Sequence, residues 1–229
     1  MIIARFLSVI IIGYLLGSIP FGVIVAKRFA HVDIRTYGSG KIGSTNVLRT
    51  AGKKAAALVL ILDILKGALA VLSAGLIVGR DYMVVGDNFG LGLLVAQCLA
   101  ALAAMAGHNW SVFLKFKGGR GVATFFGGLI ALCPVAALFG GEIFIIGAGW
   151  SRFASLGSIA GAVGTYTILI PLTIFNGFPL EYLVYAFIGT LAIIIMHRGN
   201  IARLLSGKER KLGEKAETVD SPPPRNSKE

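Results

Sequence analysis

Long apolar runs separated by short polar segments make up most of this chain. The runs cover residues 2–25, 55–78, 89–106, 122–150, a stretch ending near 175, and 180–196. They lack the two-residue alternation of a half-buried strand, and several have about the 20 residues that a helix needs to cross a bilayer. Backbone polar groups find no partners in hydrocarbon, so these runs are predicted to be membrane-spanning helices.

The run at residues 122–150 contains glycines and a proline, and the flanking charges indicate how often it crosses the bilayer. Residues 27–54 carry seven basic side chains against one acidic, which places them in the cytoplasm by the positive-inside rule. The basic segment after residue 197 reaches the same side only if 122–150 crosses twice. We therefore predict two short crossings broken near residues 140–142.

The predicted fold class is an all-α polytopic integral membrane protein. It has about seven transmembrane helices, some short or broken, with the N-terminus outside and the C-terminus in the cytoplasm. Pro20 is expected to loosen the first helix near its cytoplasmic end. Residues 1–210 are predicted to form a single membrane-embedded domain, and the charged, proline-containing residues 211–229 a disordered cytoplasmic tail.

Composition agrees with a membrane location. Hydrophobic residues make up 55% of the chain, there are 31 glycines, and the mean hydropathy is +0.80. The net charge of +11 is concentrated at the ends of the apolar runs, which indicates attraction to anionic lipid or substrate rather than to nucleic acid. Cys98 and Cys133 lie inside apolar runs and are expected to be packing residues, without a disulfide or a metal ion.

Three polar segments lie on the predicted cytoplasmic face, at residues 39–49, 108–120 and 197–209. Glycines beside Arg or Lys let backbone N–H groups approach an anion, and the cation adds charge-assisted hydrogen bonds. These features indicate a phosphate site. The alternatives are solvated turns that mark the cytoplasmic side and, in the first segment, a flexible linker.

The same segments exclude several kinds of chemistry. They contain no metal-ligand cluster, no Walker A loop and no nucleophile elbow, so no metal and no cofactor is expected. A cationic, donor-rich pocket suits reactions of phosphates, and an already activated donor suits it best because nothing present activates a weak one.

Two pairs of polar residues leave alternatives open. Asp63 and Lys66 are one helical turn apart inside an apolar run, where they either neutralise each other or position the loops. His197 and Asn200 share one face where the last run ends. His197 either transfers a proton or caps the helix end, where a cation is favoured.

The three segments together resemble the motifs of a known family, the bacterial acyl-phosphate-dependent glycerol-3-phosphate acyltransferases of the PlsY type. The matching strings are GSGKIGSTNVLR (38–49), GHNWSVFLKFKGGRGVAT (107–124) and HRGNIARLLSGKE (197–209). LLGSIPFG, DILKG and RFASLGS also resemble family segments. The likeness runs in order from about residue 10 to 210.

The resemblance implies a seven-helix enzyme of the bacterial cytoplasmic (inner) membrane, multi-pass, with its active site facing the cytoplasm. It implies transfer of a fatty acyl group from acyl phosphate to glycerol 3-phosphate, giving lysophosphatidic acid and inorganic phosphate in the first acylation step of phospholipid synthesis. Besides these substrates and membrane lipid, the expected partner is the soluble acyl-phosphate synthase, and no nucleic acid is expected.

The family's functional positions fall on Ser39, Arg49, Arg120, Ser158, His197 and Asn200. Catalytic roles are expected for His197, Asn200, Ser39 and Ser158. Phosphate binding is expected for Arg49, Arg120, Gly118, Gly119, Gly121, Ser39, Gly40, Lys41 and Asn46. The chain departs from the family pattern where Lys41 replaces a common Asn, Arg120 a common Lys and Ser111 a frequent Pro.

Two other classes of protein compete with this interpretation. Broken helices and the intramembrane charges Asp63, Lys66 and Glu142 would suit a transporter of an anionic solute. Against it, the polar residues gather at one face and the two halves share no internal repeat. A scaffold for lipid-synthesis partners would have no need of Arg49 or His197.

Overall fold

The computed structural model describes residues 2–79, 82–85 and 89–214. Within this part of the chain lie nine α-helices and one small hairpin. The helices are α1 (Ile2–Ser18), α2 (Phe21–Ala30), α3 (Ser44–Val78), α4 (Leu93–Asn109), α5 (Val122–Leu132), α6 (Pro134–Ser151), α7 (Ala154–Asn176), α8 (Leu180–Met196) and α9 (Arg198–Leu205). Short 3-10 turns occur at Ile34–Thr36 and Val112–Leu114. Most of the tail predicted at 211–229 lies outside the described residues.

Five segments of the described chain are long and apolar enough to cross a membrane: Ile2–Ala30, Ser44–Val78, Leu93–Leu114, Pro134–Ser151 and Ala154–Asn176. A sixth results if α8 and α9, which meet at 60°, count as one bent span. The helix α5 has only 11 residues, fewer than the roughly 20 of a crossing helix. The helical multi-pass fold is thus confirmed, while the count of seven and the orientation of the termini stay predictions.

Two predicted breaks have different outcomes. The first apolar run is interrupted at Ile19 and Pro20, between α1 and α2, as Pro20 predicts. The predicted break of the 122–150 run at residues 140–142 is wrong, because those residues lie inside α6. The break falls at Cys133 instead, where Pro134 opens α6 at a position that needs no backbone N–H.

The polar loop predicted for residues 32–54 is shorter than expected. Helical structure starts at Ser44, but Gly52 divides it with φ 84° and ψ −179°. The part of α3 after Gly52 begins close to residue 55, the predicted start of the second span. The helical turns before Gly52, which include Arg49, were missed because polar and basic side chains do not by themselves exclude a helix.

The all-α prediction missed one element. An antiparallel hairpin pairs β1 (Met83–Val85) with β2 (Phe89–Leu91), with Met83 opposite Leu91. It occupies the predicted start of the third span, which therefore begins at Leu93 rather than residue 89. The segment between α3 and α4 is too short and too mixed in composition to show the alternation of apolar and polar residues that predicts strands.

Small residues allow the helices to pack closely. Gly17 of α1 lies so near the Ala104 backbone of α4 that a Cβ on Gly17 would collide with it, and Gly127 of α5 lies equally close to the Ile64 backbone of α3. This is the usual way in which transmembrane helices gain contact. Cys98 and Cys133 are buried in the core as free thiols, as expected from their apolar surroundings.

Candidate active site

One cavity of about 520 Å³ brings parts of all three polar segments together. Five of its lining residues are cationic: Lys41, Arg120, Arg198, Arg203 and Arg210. Ser39 and Asn200 add neutral polar groups, and no acidic residue is among the described residues of its wall. We call it the cationic cavity. The electrostatic repulsion between these cations decreases when an anion binds between them.

The first wall is a glycine-rich loop that Asn46 holds in shape. The Asn46 Nδ2 amide donates to the carbonyls of Ile34, Tyr37 and Lys41 at 3.2, 3.0 and 2.9 Å. The Gly40 N–H is also committed, to the Tyr37 carbonyl at 2.9 Å. Asn46 and Gly40 therefore position the loop, in contrast to the direct phosphate contact expected from the sequence.

Lys41 reaches the cavity from this loop. Burial, together with the nearby charges of Arg120 and Arg198, lowers the pKa of Lys41 from its ordinary value. The charge of Lys41 thus lies among the other cations of the cavity. Any anion bound there would stabilise the protonated ammonium group.

Arg49 lies beside the cavity and ties α3 to the segment after α9. Its Nη2 donates to the carbonyls of Arg210 and Lys211 at 3.2 and 3.0 Å. Its Nε is buried and has no hydrogen-bond partner among the described residues. Arg49 therefore both anchors the C-terminal segment and retains a buried donor suited to an anion.

The second wall is the turn before α5, where Arg120 stands between closely packed glycines. The Gly119 N–H donates to the His108 carbonyl at 2.9 Å, and a Cβ on Gly118 or Gly119 would collide with the end of α4. Gly121 has φ 74°, a conformation that favours glycine. Close packing against α4 thus explains why residues 118 and 119 are glycines, and their phosphate contact stays a prediction. Burial lowers the pKa of Arg120 to about 10, so this side chain remains cationic at neutral pH.

The third wall is the bend between α8 and α9. His197, 1% exposed, occupies the bend, and its Nδ1 lies 2.8 Å from the Ile193 carbonyl. Because a carbonyl only accepts, Nδ1 carries the hydrogen and Nε2 keeps the lone pair. This arrangement fixes the ring and leaves Nε2 able to accept a proton, so both roles considered for His197 remain compatible with the geometry.

Glu209 is a site residue that sequence reasoning missed. Its carboxylate accepts hydrogen bonds from Ser155 of α7 at 2.8 Å, from Asn200 at 2.5 Å and from Arg203 at 2.8 Å. Burial raises the pKa of Glu209, but the bonds from Asn200 and Ser155 outweigh this and leave it below the ordinary value. The signal was a single carboxylate within an otherwise basic segment.

We expect Glu209→Ala to lower activity at least tenfold, because it frees Asn200 and Arg203 and removes bonds worth about 1.5–3 kcal/mol each. The matched control is Glu214→Ala, since Glu214 is exposed and, among the described residues, its carboxylate accepts a hydrogen bond only from the backbone N–H of Lys211. Activity and thermal unfolding of both purified variants would be measured. Wild-type activity of Glu209→Ala would show that this carboxylate does not organise the site.

A second cavity, of about 340 Å³, meets the first at Arg120. Apart from Arg120, Ser158 and a few other polar residues, its walls are apolar side chains of α3, α5 and α6, and we call it the apolar groove. Ser158 donates to the Ala154 carbonyl of its own helix at 2.7 Å. Leu60, Ile130 and Ile145 in its walls are 43%, 48% and 68% exposed, so the groove is open on its lipid-facing side.

A buried ion pair supports the turn that carries Arg120. Lys66 Nζ lies 2.8 Å from Asp63 Oδ1, 3.0 Å from His108 Nδ1 and 3.1 Å from the carbonyls of Gly17 and Ile19. Both members of the pair are 2% exposed. The Asp63–Lys66 contact is an ion pair rather than a well-aligned hydrogen bond, since Oδ1 has no hydrogen-bond donor in the described structure. Mutual neutralisation, one of the two alternatives, is confirmed, and through His108 the pair also contacts the Gly119 turn.

The predicted site residues therefore fall into three groups. Those in the wall of the cationic cavity are Ser39, Lys41, Arg120 and Asn200. Those in the wall of the apolar groove are Arg120, Gly121 and Ser158. The others, in the wall of neither, are Gly40, Asn46, Arg49, Gly118, Gly119 and His197. Arg120 is the one predicted site residue that both cavities share.

Comparison with known proteins gives a consistent result. Residues 7–207 match the family model described as glycerol-3-phosphate acyltransferase. "Glycerol-3-phosphate acyltransferase 3" of Dehalococcoides mccartyi (strain CBDB1) is 65% identical over 94% of this chain and 100% of its own length. "Glycerol-3-phosphate acyltransferase" of Clostridioides difficile (strain 630) is 42% identical over 94% of this chain and 99% of its own length.

Two solved structures are similar throughout. Both are crystal structures of PlsY (YgiH), described as an integral membrane glycerol 3-phosphate acyltransferase, and both are 38% identical to this chain. The glycerol 3-phosphate form gives a TM-score of 0.78 and covers 91% of this chain and 96% of its own. The lysophosphatidic acid form gives 0.76, with coverage of 90% and 94%.

Proposed function

The chain belongs to the glycerol-3-phosphate acyltransferase family, and from that premise we propose that it transfers a fatty acyl group from acyl phosphate to the C1 hydroxyl of glycerol 3-phosphate. The products are lysophosphatidic acid and inorganic phosphate, in the first acylation step of phospholipid synthesis. The observation that carries this proposal is the position of Arg120, which lines both the cationic cavity and the apolar groove.

The two cavities suit the two ends of the proposed donor. An acyl phosphate joins a dianionic phosphate to a long apolar chain, and the reacting carbonyl lies at the junction. Arg120 stands at the corresponding junction of the protein, between the four other cationic lining residues on one side and the apolar helix faces of the groove on the other. Glycerol 3-phosphate would share the cationic cavity, and the open side of the groove would admit the donor laterally from the bilayer.

The proposed reaction is direct acyl transfer without an acyl-enzyme intermediate. The C1 hydroxyl oxygen attacks the acyl carbonyl carbon, a tetrahedral intermediate forms, and the bond from this carbon to the phosphate oxygen breaks. Inorganic phosphate leaves with the bonding electron pair. Acyl phosphate is a mixed anhydride with a good leaving group, so the enzyme need not supply a nucleophile. The hydroxyl proton passes to His197 Nε2 or to a phosphate oxygen.

We propose the following roles for the other predicted residues. Arg49 and Arg120, with Lys41, would hold phosphates and stabilise the negative charge that develops on the carbonyl oxygen. His197 and Asn200 would orient the attacking hydroxyl, while Ser39 and Ser158 would add hydrogen bonds. The glycines and Asn46 would act indirectly, by keeping the two loops in shape.

The most specific part of this proposal is the acyl donor, and an assay with two donors tests it. Purified protein supplied with palmitoyl phosphate and glycerol 3-phosphate is expected to release phosphate only when both substrates are present. Palmitoyl-CoA serves as the control donor and is expected to give no product. Transfer from palmitoyl-CoA but not from palmitoyl phosphate would contradict the proposed donor while leaving the acyltransferase class intact.

We propose the membrane arrangement from the same family membership. Seven crossings with a cytoplasmic C-terminus would place the cationic cavity in the cytoplasm of the bacterial inner membrane, where a soluble acyl-phosphate synthase could deliver the donor. Residues 1–210 would then form the single membrane-embedded domain. Membership of an acyltransferase family gives the transporter and scaffold alternatives no support.

A further inference from the structure

The apolar groove is lined on one side by a single stripe of α6. Its members in the groove wall are Ala137, Gly141, Phe144 and Ile145. Their spacing of three and four residues places them on one helix face. The opposite wall includes Phe126 and Ile130 of α5. The groove therefore runs along α5 and α6 from Arg120 into the membrane.

At position 141 of this stripe, contacts with the rest of the protein do not require a residue as small as glycine. A Cβ built on Gly141 meets no atom within 4 Å. Its neighbour Gly140 behaves differently, because a Cβ there would collide with Thr165 and approach the Gly161 backbone of α7. Glycine inside a helix costs about 0.5–1 kcal/mol relative to alanine, so a glycine facing open space weakens the helix without improving contact with another helix.

Gly141 also lies deep in the groove, beyond the end that holds Arg120 and Ser158. The helices α6 and α7 run antiparallel, with Gly157 packed against Phe144 and Ala148, and Gly161 against Gly140 and Phe144. Ser158 is thus level with the part of α6 that follows Phe144. Gly141 is three residues before Phe144, which corresponds to about 4.5 Å further into the membrane.

Phe144 marks a level in the groove between its polar end and Gly141. Its ring lies 6.4 Å from that of Phe126 on α5, centroid to centroid. A short acyl chain ends before or at this level. A long chain must continue past it, into the space that the missing side chain of Gly141 leaves open.

We propose that Gly141 sets the acyl-chain length that the enzyme accepts, by keeping the deep half of the groove open for the distal part of the donor's chain. This inference rests on the proposed function, because it takes the acyl donor as the occupant of the groove. The reason for that choice is continuity: the groove begins at Arg120, which also lines the cavity for the donor's phosphate.

The test compares two donors in two matched variants. Gly141→Leu fills the deep half of the groove, and Gly149→Leu is its control, because Gly149 is on the same helix, meets no atom within 4 Å and does not line the groove. The ratio of kcat/KM for palmitoyl phosphate to that for hexanoyl phosphate is measured for each. Gly141→Leu is expected to lower this ratio at least about tenfold, a usual loss when a hydrophobic pocket no longer fits a chain, and Gly149→Leu to leave it unchanged.

The outcomes separate this inference from the proposed function. An unchanged ratio in Gly141→Leu, or an equal fall in Gly149→Leu, overturns the role of Gly141 and indicates that bulk lipid fills the groove. Wild-type protein inactive with both acyl phosphates contradicts the proposed donor instead. Gly141→Ala adds one methyl group to open space and serves as a second variant should the leucine variant not fold. A smaller fall in the same ratio is expected for it, and no fall overturns the inference.

Discussion

Replacing Arg120 with alanine is expected to lower the acyl-transfer rate about a hundredfold, the usual loss when one donor to a developing oxyanion is removed. The guanidinium lines both cavities, so it is placed where the acyl carbonyl and the phosphate leaving group would meet. Its charge persists at neutral pH, because the pKa, although lowered by burial, is about 10. Single-turnover acyl transfer by the purified variant would measure the loss.

Two companion variants show whether the loss is specific. Arg120→Lys keeps the charge but not the forked donor geometry, so partial recovery is expected. Arg28→Ala removes an exposed arginine at the end of α2 and is expected to behave as wild type. Near-normal turnover by Arg120→Ala, with unchanged thermal stability, would refute the assignment of Arg120 to the reaction centre.

Replacing Lys66 with methionine is expected to lower the stability of the protein markedly. Asp63 would then be left buried without its 2.8 Å cation, and breaking a buried pair in this way costs about 3–5 kcal/mol. The variant would also lose the contacts of Lys66 to His108 and to the carbonyls at the α1–α2 break. Thermal unfolding in detergent would report the change.

A double-mutant cycle distinguishes the ion pair from simple loss of a side chain. Asp63→Asn combined with Lys66→Met leaves no uncompensated charge, so the double variant is expected to be more stable than Lys66→Met alone. Lys54→Met, at an exposed position near the start of the same helix, is the control and is expected to unfold as wild type does. Strictly additive losses in the cycle would contradict coupling between the two charges.

The features best predicted from sequence were those that the apolar runs themselves determine. The bounds of α8, Leu180–Met196, coincide with the predicted span because a turn with Pro179 precedes it and His197 follows it. The pairing of Asp63 with Lys66 was also predictable, since spacing within one helix fixes which side chains meet. In each case, the residues nearby in sequence and the geometry of one helix were sufficient for the prediction.

What could not be predicted depends on contacts between distant parts of the chain. Sequence cannot show that Gly118 and Gly119 pack against α4, because a turn that binds an anion favours glycine as well. Glu209 became visible as a site residue only when folding brought Ser155, far away in sequence, to its carboxylate. The break at Cys133 was missed because the glycines at 140 and 141, taken as helix breakers, lie within α6.

The central claim is that the three polar segments meet on one side of the membrane to form one phosphate site. Single cysteines at the exposed positions Lys53, Lys117 and Lys208, in a Cys98→Ala, Cys133→Ala background, place one label beside each segment. Labelling of sealed vesicles of known orientation with a membrane-impermeant maleimide is predicted to modify all three from the cytoplasmic side. Modification of any one from the opposite side would contradict a shared site, and the proposed mechanism with it.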